Sequence, residues 1–266
     1  MYDKFNRKIN YLRVSVTDRC NLRCVYCMPP EGIDLVKHKE VLRFNEIEET
    51  VKFAVDNGID KIRITGGEPL IRKGIVNLVE IIAKIKGIKD LAMTTNAIFL
   101  EKFAKPLAEA GLHRVNISLD SIDENKYREI TQGGDINLVF KGIEAAKKEG
   151  LTPVKINCVI KKSANEPDAK AVKEYCDKNG LSVRYIHEMN LETGEFEIVE
   201  GGTGGNCKIC NRLRITATGD ILPCLFSDEK FNIRKMGIKQ AFKLALENKP
   251  ENGCFAKNNK FYNIGG

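Results

Sequence analysis

The sequence predicts an α/β protein whose core is a partial, TIM-like (β/α)6 barrel that stays open. Three observations lead to this fold class. Strand-like and helix-like runs alternate from residue 11 to residue 187. The connections between the runs are short, and repeated strand–helix units build a parallel sheet with right-handed crossovers. Six such units are too few to close a standard eight-stranded barrel. A doubly wound parallel sheet is the second interpretation.

Each strand-like run is short, apolar and bounded by polar or glycine-containing loops. The six runs are YLRVSV (11–16), KIRIT (61–65), DLAMTT (90–95), HRVNISL (113–119), PVKINCVI (153–160) and LSVRYI (181–186). Helix-like runs follow the first five strands, with the apolar residues at helical spacing. They cover residues 45–57, 75–85, 99–110, 122–131 together with 136–149, and 166–179. In either fold, the carboxyl ends of the strands form the active site.

The pattern changes after residue 189. A glycine-rich segment containing GGTGG (201–205) precedes a strand–turn–strand signal, NRLRITATGDILPCLF (211–226), and a helix over 236–248. We therefore expect two regions. Residues 1–189 form the barrel, and residues 190–266 form an extension that packs on it.

Composition and charge narrow the class of protein. The chain carries a formal net charge of +7, with its Lys and Arg residues spread among Asp and Glu rather than clustered. This balance suits an anionic partner without naming one. No apolar stretch is long enough for a membrane span, and the N-terminus MYDKFNRKIN has no apolar signal region. We expect a cytoplasmic protein with no membrane partner.

The nine cysteines are more informative than the charge. An odd number without a signal peptide argues against a disulfide scaffold. Six of them form two tight triplets, which indicates ligation of a metal or a cluster. Cys158 and Cys176 lie in apolar runs and are interpreted as packed thiols. Cys254 receives no role.

The first triplet stands in TDRCNLRCVYC, directly after the first strand, with the spacing C-x3-C-x2-C. Three thiolates leave one iron of a [4Fe–4S] cubane without a protein ligand, which is what a cluster needs to bind a small molecule. The alternative is a zinc site with a fourth ligand elsewhere, but zinc sites more often use paired C-x2-C spacings. The sequence favours a cluster held by Cys20, Cys24 and Cys27.

The second triplet, Cys207, Cys210 and Cys224, has the spacing C-x2-C-x13-C. A second [4Fe–4S] cluster with an open iron is the preferred interpretation, and zinc with Cys254 as fourth ligand is the alternative. Arg212 and Arg214 follow the pair at alternate strand positions and therefore point to one face. Together with other basic residues on strands or beside the first triplet they predict a polyanion site, since Arg suits phosphate. These others are Arg19, Lys61, Arg63 and Arg184.

The first triplet, with an aromatic residue before its third cysteine, resembles the signature of the radical S-adenosylmethionine (SAM) enzymes. Gly66-Gly67-Glu68 after the second strand is similar to the GGE motif of that superfamily. Adjacent glycines let backbone approach a ligand closely, and Glu68 would meet the methionine amino group of SAM. The resemblance implies these cofactor contacts: Tyr26, Gly66, Gly67, Glu68, Thr95, Ser118, Lys155 and Met189.

A narrower resemblance covers nearly the whole chain. The runs VTDRCNLRCVYC, KIRITGGEPL, TTNA, RVNISLDS, VKIN and CKICNRLRITATGDILPCL, and the terminal NIGG, are similar to the GTP 3′,8-cyclases of molybdenum cofactor biosynthesis. That family implies a lyase that cyclises GTP through a 5′-deoxyadenosyl radical. The purine would bind the open iron of the second cluster. The basic residues named above would contact GTP, and Gly265 and Gly266 would enter the active site and assist catalysis.

The resemblance also implies partners, namely an electron donor and a downstream pterin synthase, for an enzyme that is a monomer or a homodimer. Two other hypotheses remain open at this point. One is a radical SAM enzyme with an auxiliary cluster that acts on a peptide or another nucleotide. The other is a zinc-bearing nucleic-acid module without catalysis. The strand–helix repeats and the absence of an RNA-binding signature disfavour this last hypothesis, so no nucleic-acid partner is expected.

Overall fold

The computed structural model describes residues 1–27, 33–189 and 196–253. Its centre is one nine-stranded sheet with the order β6-β5-β4-β3-β2-β1-β7-β8-β9. The first six strands are parallel and follow the chain in sequence from β1 to β6. The arrangement is an unclosed, partial barrel, and the predicted fold class is confirmed.

The strands are short, as the sequence predicts. Their bounds are β1 Tyr11–Ser15, β2 Lys61–Thr65, β3 Asp90–Thr95, β4 Arg114–Ser118, β5 Lys155–Ile160, β6 Ser182–His187, β7 Arg212–Ile215, β8 Asp220–Leu222 and β9 Phe231–Asn232.

Helices α1 to α6 connect successive parallel strands, with both α4 and α5 between β4 and β5, and helices α7 and α8 follow β9. Their bounds are α1 Phe44–Asp56, α2 Ile75–Ala83, α3 Leu100–Glu109, α4 Glu124–Thr131, α5 Ile136–Lys148, α6 Pro167–Asn179, α7 Ile233–Met236 and α8 Ile238–Glu247. None of the helices in the described part of the chain has the length and apolar character that crossing a bilayer would require.

Side chains alternate between the two faces of each strand, and the two faces differ in chemistry. On β1 and β2, Leu12, Val14, Ile62 and Ile64 are at most 1% exposed and belong to the apolar core under the helices. The residues between them are polar or basic and lie on the opposite, inner face. The inner face is therefore free to serve as a binding surface.

The C-terminal extension continues the same sheet. Strand β7 pairs with β1 in parallel, so that β1 lies between β2 and β7. Strands β8 and β9 then add to β7 in antiparallel pairing. The predicted strand–turn–strand signal at 211–226 corresponds to β7 and β8.

Arg234 joins the extension to the barrel. Its guanidinium donates to both carboxylate oxygens of Glu46 at 2.6 and 2.7 Å, and to the carbonyls of Glu40 and Val41. The hydrogen bond from Arg234 is the main cause that lowers the pKa of Glu46 to about 2. The short helix α7 is thereby fixed to the start of α1.

Because the Glu46 pKa is depressed in the folded state, its stabilisation is present above the ordinary value of 4.5 and is lost as pH falls toward about 2. We predict that Glu46→Gln lowers the free energy of unfolding by about 1 kcal/mol at pH 7. The difference from wild type should narrow at pH 4, as measured by urea unfolding. Glu48→Gln, an exposed site on the same helix, is the control and should be neutral. A difference of equal size at both pH values would contradict this prediction.

Candidate active site

The two cysteine triplets lie at opposite ends of the parallel strands. The first triplet follows β1 and therefore stands at its carboxyl end. The second precedes β7, which runs parallel to β1, and the Asn211 carbonyl accepts from the backbone N–H groups of Asn10 and Tyr11 at the amino end of β1. Cys224 follows β8. Because β8 is antiparallel to β7, Cys224 lies at the same end of the strands as Cys207 and Cys210. The expectation that the active site forms at the carboxyl ends of the strands therefore does not cover the second triplet, which lies at the amino ends of β1 and β7.

The loop that carries the first triplet is held by backbone contacts with Gly66, Gly67 and Glu68. The N–H of Gly67 donates to the Thr17 carbonyl at 2.7 Å, and the N–H of Glu68 donates to the Arg19 carbonyl at 2.8 Å. A Cβ on Gly67 would lie 2.2 Å from the Arg19 oxygen, closer than any real contact. The glycines are therefore required by the approach of the cysteine loop itself, in addition to any ligand.

Glu68 is buried and receives three hydrogen bonds. Its Oε1 accepts from the Thr95 hydroxyl at 2.7 Å and from the Leu70 N–H at 3.0 Å, and its Oε2 accepts from the Asn96 N–H at 2.7 Å. Burial is the main influence on its pKa and raises it to about 7. The Thr95 hydroxyl thus uses its hydrogen on Glu68. The Glu68 carboxylate is held at the carboxyl ends of β2 and β3.

The thiols of the first triplet are close enough to act on each other electrostatically. Burial, more than this mutual repulsion, raises the pKa of Cys24 to about 12 and that of Cys27 to about 11, and it also raises the pKa of Cys20. Thiolates in such a place need a positive group beside them, which iron would supply. Among the described residues, no three His, Cys, Asp or Glu side chains converge on a single metal ion.

Tyr26 bridges the first triplet to the barrel. Its hydroxyl donates to Asp120 Oδ2 at 2.6 Å, and Asp120 Oδ1 accepts from the Val159 N–H at 2.7 Å. Burial is the main cause that raises the pKa of Asp120 to about 6. Ser118, two residues before this aspartate, is half-buried at the end of β4, and Met189 is half-buried just after β6. Sequence reasoning missed Asp120, although its place after a strand could have indicated it.

Basic side chains form two rows across the inner face of the sheet. In one row, the backbone register sets Tyr11 between Lys61 and Arg212. The guanidinium carbons of Arg63 and Arg212 lie 5.6 and 5.7 Å from the centre of the Tyr11 ring. Burial raises the pKa of the Tyr11 phenol, but the surrounding arginines, Arg63 first, outweigh burial and lower it.

The next row sets Arg13 between Arg63 and Arg214. Burial is the main cause that lowers the pKa of all three guanidinium groups, to about 10 for Arg214. Sequence reasoning missed Arg13. Residues two apart on a strand share a face, so Arg13 could have been assigned to the same face of β1 as Tyr11. We call Lys61, Arg212 and these three arginines the basic rows.

The basic rows contain hydrogen-bond donors without acceptors. The Nε atoms of Arg13, Arg63 and Arg212 are buried and have no partner within residues 1–27, 33–189 and 196–253. Unpaired donors of this kind are costly unless a ligand accepts from them. Three cations with idle donors on one surface are suited to a phosphorylated ligand.

The inner face has further polar groups on β3 to β6. Arg184 and Lys155 are half-buried, and burial is the first cause that lowers the pKa of each. Thr94 and Asn116 are register neighbours with one unpaired polar atom each among the described residues. Arg114 is different, because its guanidinium forms a salt bridge of 2.5 Å with the Asp90 carboxylate, which neutralises its charge.

Arg19 lies apart from the basic rows. Its side chain is exposed on the loop of the first triplet, and its backbone N–H donates to the Thr17 hydroxyl at 3.1 Å. The remaining site residues expected from the sequence, Gly265 and Gly266, lie outside the described residues, as does Cys254. Cys158 and Cys176 are fully buried on β5 and α6, as packed thiols would be.

The second triplet is surrounded by the segment that follows α8. The Gly253 N–H donates to Cys207 Sγ at 3.2 Å. Burial is the largest single influence on the Cys210 thiol and raises its pKa, but the Lys249 ammonium, the Arg212 guanidinium and the Arg212 backbone together outweigh burial and lower the pKa. For Cys224, burial dominates and raises the pKa.

Comparison with protein families agrees with this arrangement. Residues 14–176 match the model of the Radical SAM superfamily, and residues 144–261 match the model Molybdenum Cofactor Synthesis C. Among solved structures, SuiB of Streptococcus suis bound to its precursor peptide SuiA has a TM-score of 0.66 at 18% identity, over 94% of this chain and 67% of that one. Native anSMEcpe with bound AdoMet also has a TM-score of 0.66, at 19% identity over 90% of this chain and 81% of that one. These likenesses concern the fold.

Curated relatives are closer in sequence. A GTP 3′,8-cyclase of Thermodesulfovibrio yellowstonii is 44% identical over 89% of this chain and 88% of that protein. One from Clostridium botulinum is 43% identical over 91% and 89%, and one from Petrotoga mobilis is 39% identical over 98% and 97%. The chain therefore belongs to the radical SAM superfamily and, within it, to the family of the GTP 3′,8-cyclases.

Proposed function

We propose that this chain is a GTP 3′,8-cyclase that makes the cyclised nucleotide from which the molybdenum cofactor is built. The observation that carries the proposal is the position of the basic rows. They lie on the inner face of the sheet, between one cysteine triplet at the carboxyl ends of the strands and another at their amino ends. A nucleoside triphosphate carries the negative charge that would neutralise this positively charged face.

Membership of the family implies [4Fe–4S] clusters and SAM as cofactors. The residues fit the first cluster, because Cys20, Cys24 and Cys27 lie on one loop after β1 and offer three thiols to the four irons of a cubane. When bound, this cluster supplies the electron that cleaves SAM and yields the 5′-deoxyadenosyl radical. Glu68, fixed by Thr95 and the Asn96 N–H, is placed to accept from the amino group of SAM. Tyr26, Gly66, Gly67, Ser118, Lys155 and Met189 are the other proposed contacts.

The second triplet would hold the cluster that binds the purine of GTP. Strand β1 between the two triplets has five residues, and at about 3.3 Å per residue it spans roughly 15 Å. A nucleotide can extend over that distance with its base at one edge and its ribose toward the other. The side chains of Lys61, Arg63, Arg184, Arg212, Arg214 and Arg13 would hold its phosphates, with Arg19 at the mouth.

The proposed reaction removes a hydrogen atom from C3′ of the ribose and joins C3′ to C8 of guanine. The chain's own contribution is to hold these two carbons in one orientation and to keep water from the radical. An inner face with this density of positive charge favours a nucleotide over a neutral peptide as substrate. An electron donor and a pterin synthase that takes the product are the proposed partners. The cytoplasm is the proposed compartment, since open-iron clusters need reducing surroundings.

The two triplets should be separable by experiment. We predict about eight iron atoms per anaerobically reconstituted chain and about four after replacing either triplet by Ala. Variants of Cys20, Cys24 and Cys27 should lose SAM cleavage. Variants of Cys207, Cys210 and Cys224 should still cleave SAM under reductant but leave GTP unchanged. Cys176→Ala is the control and should retain the full iron content. SAM cleavage without any consumption of GTP by the wild type would overturn the proposed function.

Arg13 provides a second test, since it was placed in the site by the strand register alone. Arg13→Met should weaken GTP binding by roughly 10- to 100-fold, the loss expected of one charge-assisted contact. SAM cleavage in the absence of GTP should stay near wild type. Arg128→Met, at an exposed position on α4, is the matched control. Unchanged affinity for GTP in the Arg13 variant, measured by equilibrium binding, would remove Arg13 from the site.

The terminal glycines are proposed to assist cyclisation, since glycine enters a narrow space without a side chain. Deleting Gly265 and Gly266 should lower the rate of product formation by roughly tenfold or more while GTP affinity changes by less than about twofold. Gly265→Ala with Gly266→Ala keeps the length and tests the need for a bare backbone. An equal loss of binding and of turnover would count against a catalytic role for the tail.

A further inference from the structure

Lys249 is a buried cation outside the basic rows. It stands two residues after the end of α8, and its side chain is 2% exposed. The ammonium donates to the carbonyl of Pro223 at 2.7 Å and to that of Arg212 at 2.8 Å. Burying an ammonium is costly unless a negative group compensates it, and two carbonyls supply dipoles but no charge.

No carboxylate provides that charge within the part of the chain that the structure describes, where Lys249 takes part in no ion pair. An ammonium has three N–H donors, and two of them are used by the carbonyls. The third remains for the Cys210 sulfur, which lies beside it, and Cys224 is near enough to feel its charge. The negative partners of Lys249 are therefore cysteines of the second triplet.

The position of Lys249 joins the two chain segments that carry these cysteines. Arg212 comes two residues after Cys210, and Pro223 directly precedes Cys224. By binding both carbonyls, one side chain fixes the separation between the β7 segment and the β8 segment. That separation sets the distance between two of the three thiols.

A second cation fixes the residues that follow Lys249. Arg7 donates to the carbonyls of Pro250 and Glu251 at 2.6 and 2.8 Å, and also to the carbonyl of Cys207 at 2.7 Å. Asp3 neutralises Arg7 at 2.6 Å, so Arg7 brings no net charge to the site. Lys249 thus has no carboxylate partner among the described residues, and together with Arg212 and Arg214 it supplies positive charge beside the second triplet.

The charge of a cluster in this place matches that of the lysine. A cubane core of two positive charges, held by three thiolates, carries one net negative charge. Hydrogen bonds and cations near the cluster sulfurs favour its reduced form and raise its reduction potential. The ammonium of Lys249 would offset that negative charge.

We propose that Lys249 is a positioning residue for the second cluster, which it holds by spacing Cys210 and Cys224 and by offsetting the negative charge of their thiolates. This inference rests on the proposed assignment of the second cluster to Cys207, Cys210 and Cys224. It predicts a property of the cluster itself, its reduction potential, which a role in packing alone would not change.

The experiment uses the full chain with Cys20, Cys24 and Cys27 replaced by Ala, so that only the second cluster contributes. Lys249→Met removes the charge and keeps most of the length of the side chain. The midpoint potential is measured by anaerobic redox titration followed by electron paramagnetic resonance. We expect a shift to more negative potential in Lys249→Met and none in Lys239→Met, an exposed control on α8. An unchanged potential at full iron content would overturn the proposal.

Lys249→Arg guards against a variant that simply loses the cluster. It keeps the charge, so it should retain iron better than Lys249→Met and hold a potential near that of the parent. Loss of the cluster in both variants, with unchanged thermal unfolding, would assign Lys249 to packing and overturn its electrostatic role. If replacing Cys207, Cys210 and Cys224 leaves the iron content unchanged, the assignment of the second cluster fails instead. The two failures are thus distinguishable.

Discussion

The parallel pairing of β7 with β1 is the constraint on which the site depends. It brings a strand from the end of the chain against the first strand, in register with it. Because β7 runs in the same direction as β1, the cysteines before β7 lie at the amino ends of these strands, opposite the cysteines that follow the carboxyl end of β1. The same register aligns Arg214 with Arg13 and Arg63 across three strands. A single pairing thus creates both the separation of the triplets and the basic surface between them.

The basic rows are costly in the free protein and would be useful in a complex with an anion. Arg13, Arg63 and Arg214 stand side by side with little solvent around them, and burial lowers the pKa of each. Structural ion pairs, such as that of Arg114 with Asp90, show how the fold neutralises a cation that it does not need for binding. Within the described part of the chain, Lys61, Arg13, Arg63 and Arg212 form no such ion pair with a carboxylate. Binding an anion there would recover the energy that desolvation of these side chains costs.

The two cysteine sites handle their charge differently. At the first triplet, burial dominates and raises the pKa of every thiol, so the compensating charge must come from the iron and its ligand. At the second triplet, Lys249 lies beside the thiols and belongs to the protein. The difference is consistent with different tasks. In the proposed function, the first cluster would give up an electron, whereas the second would hold the substrate in place.

The fold class, the two triplets and the family can all be inferred from the amino-acid sequence, because these features depend on local spacing. Alternating strands and helices, C-x3-C-x2-C and the NRLR segment are readable without coordinates. The position of Arg13 in the basic rows, the hydrogen bond between Thr95 and Glu68, and the environment of Lys249 become visible only in the folded chain. Each of these depends on which strands become neighbours and in what register, and residues 13, 63 and 214 are far apart in the chain. Pairing of distant strands is fixed by the packing of the whole sheet, which no local pattern encodes.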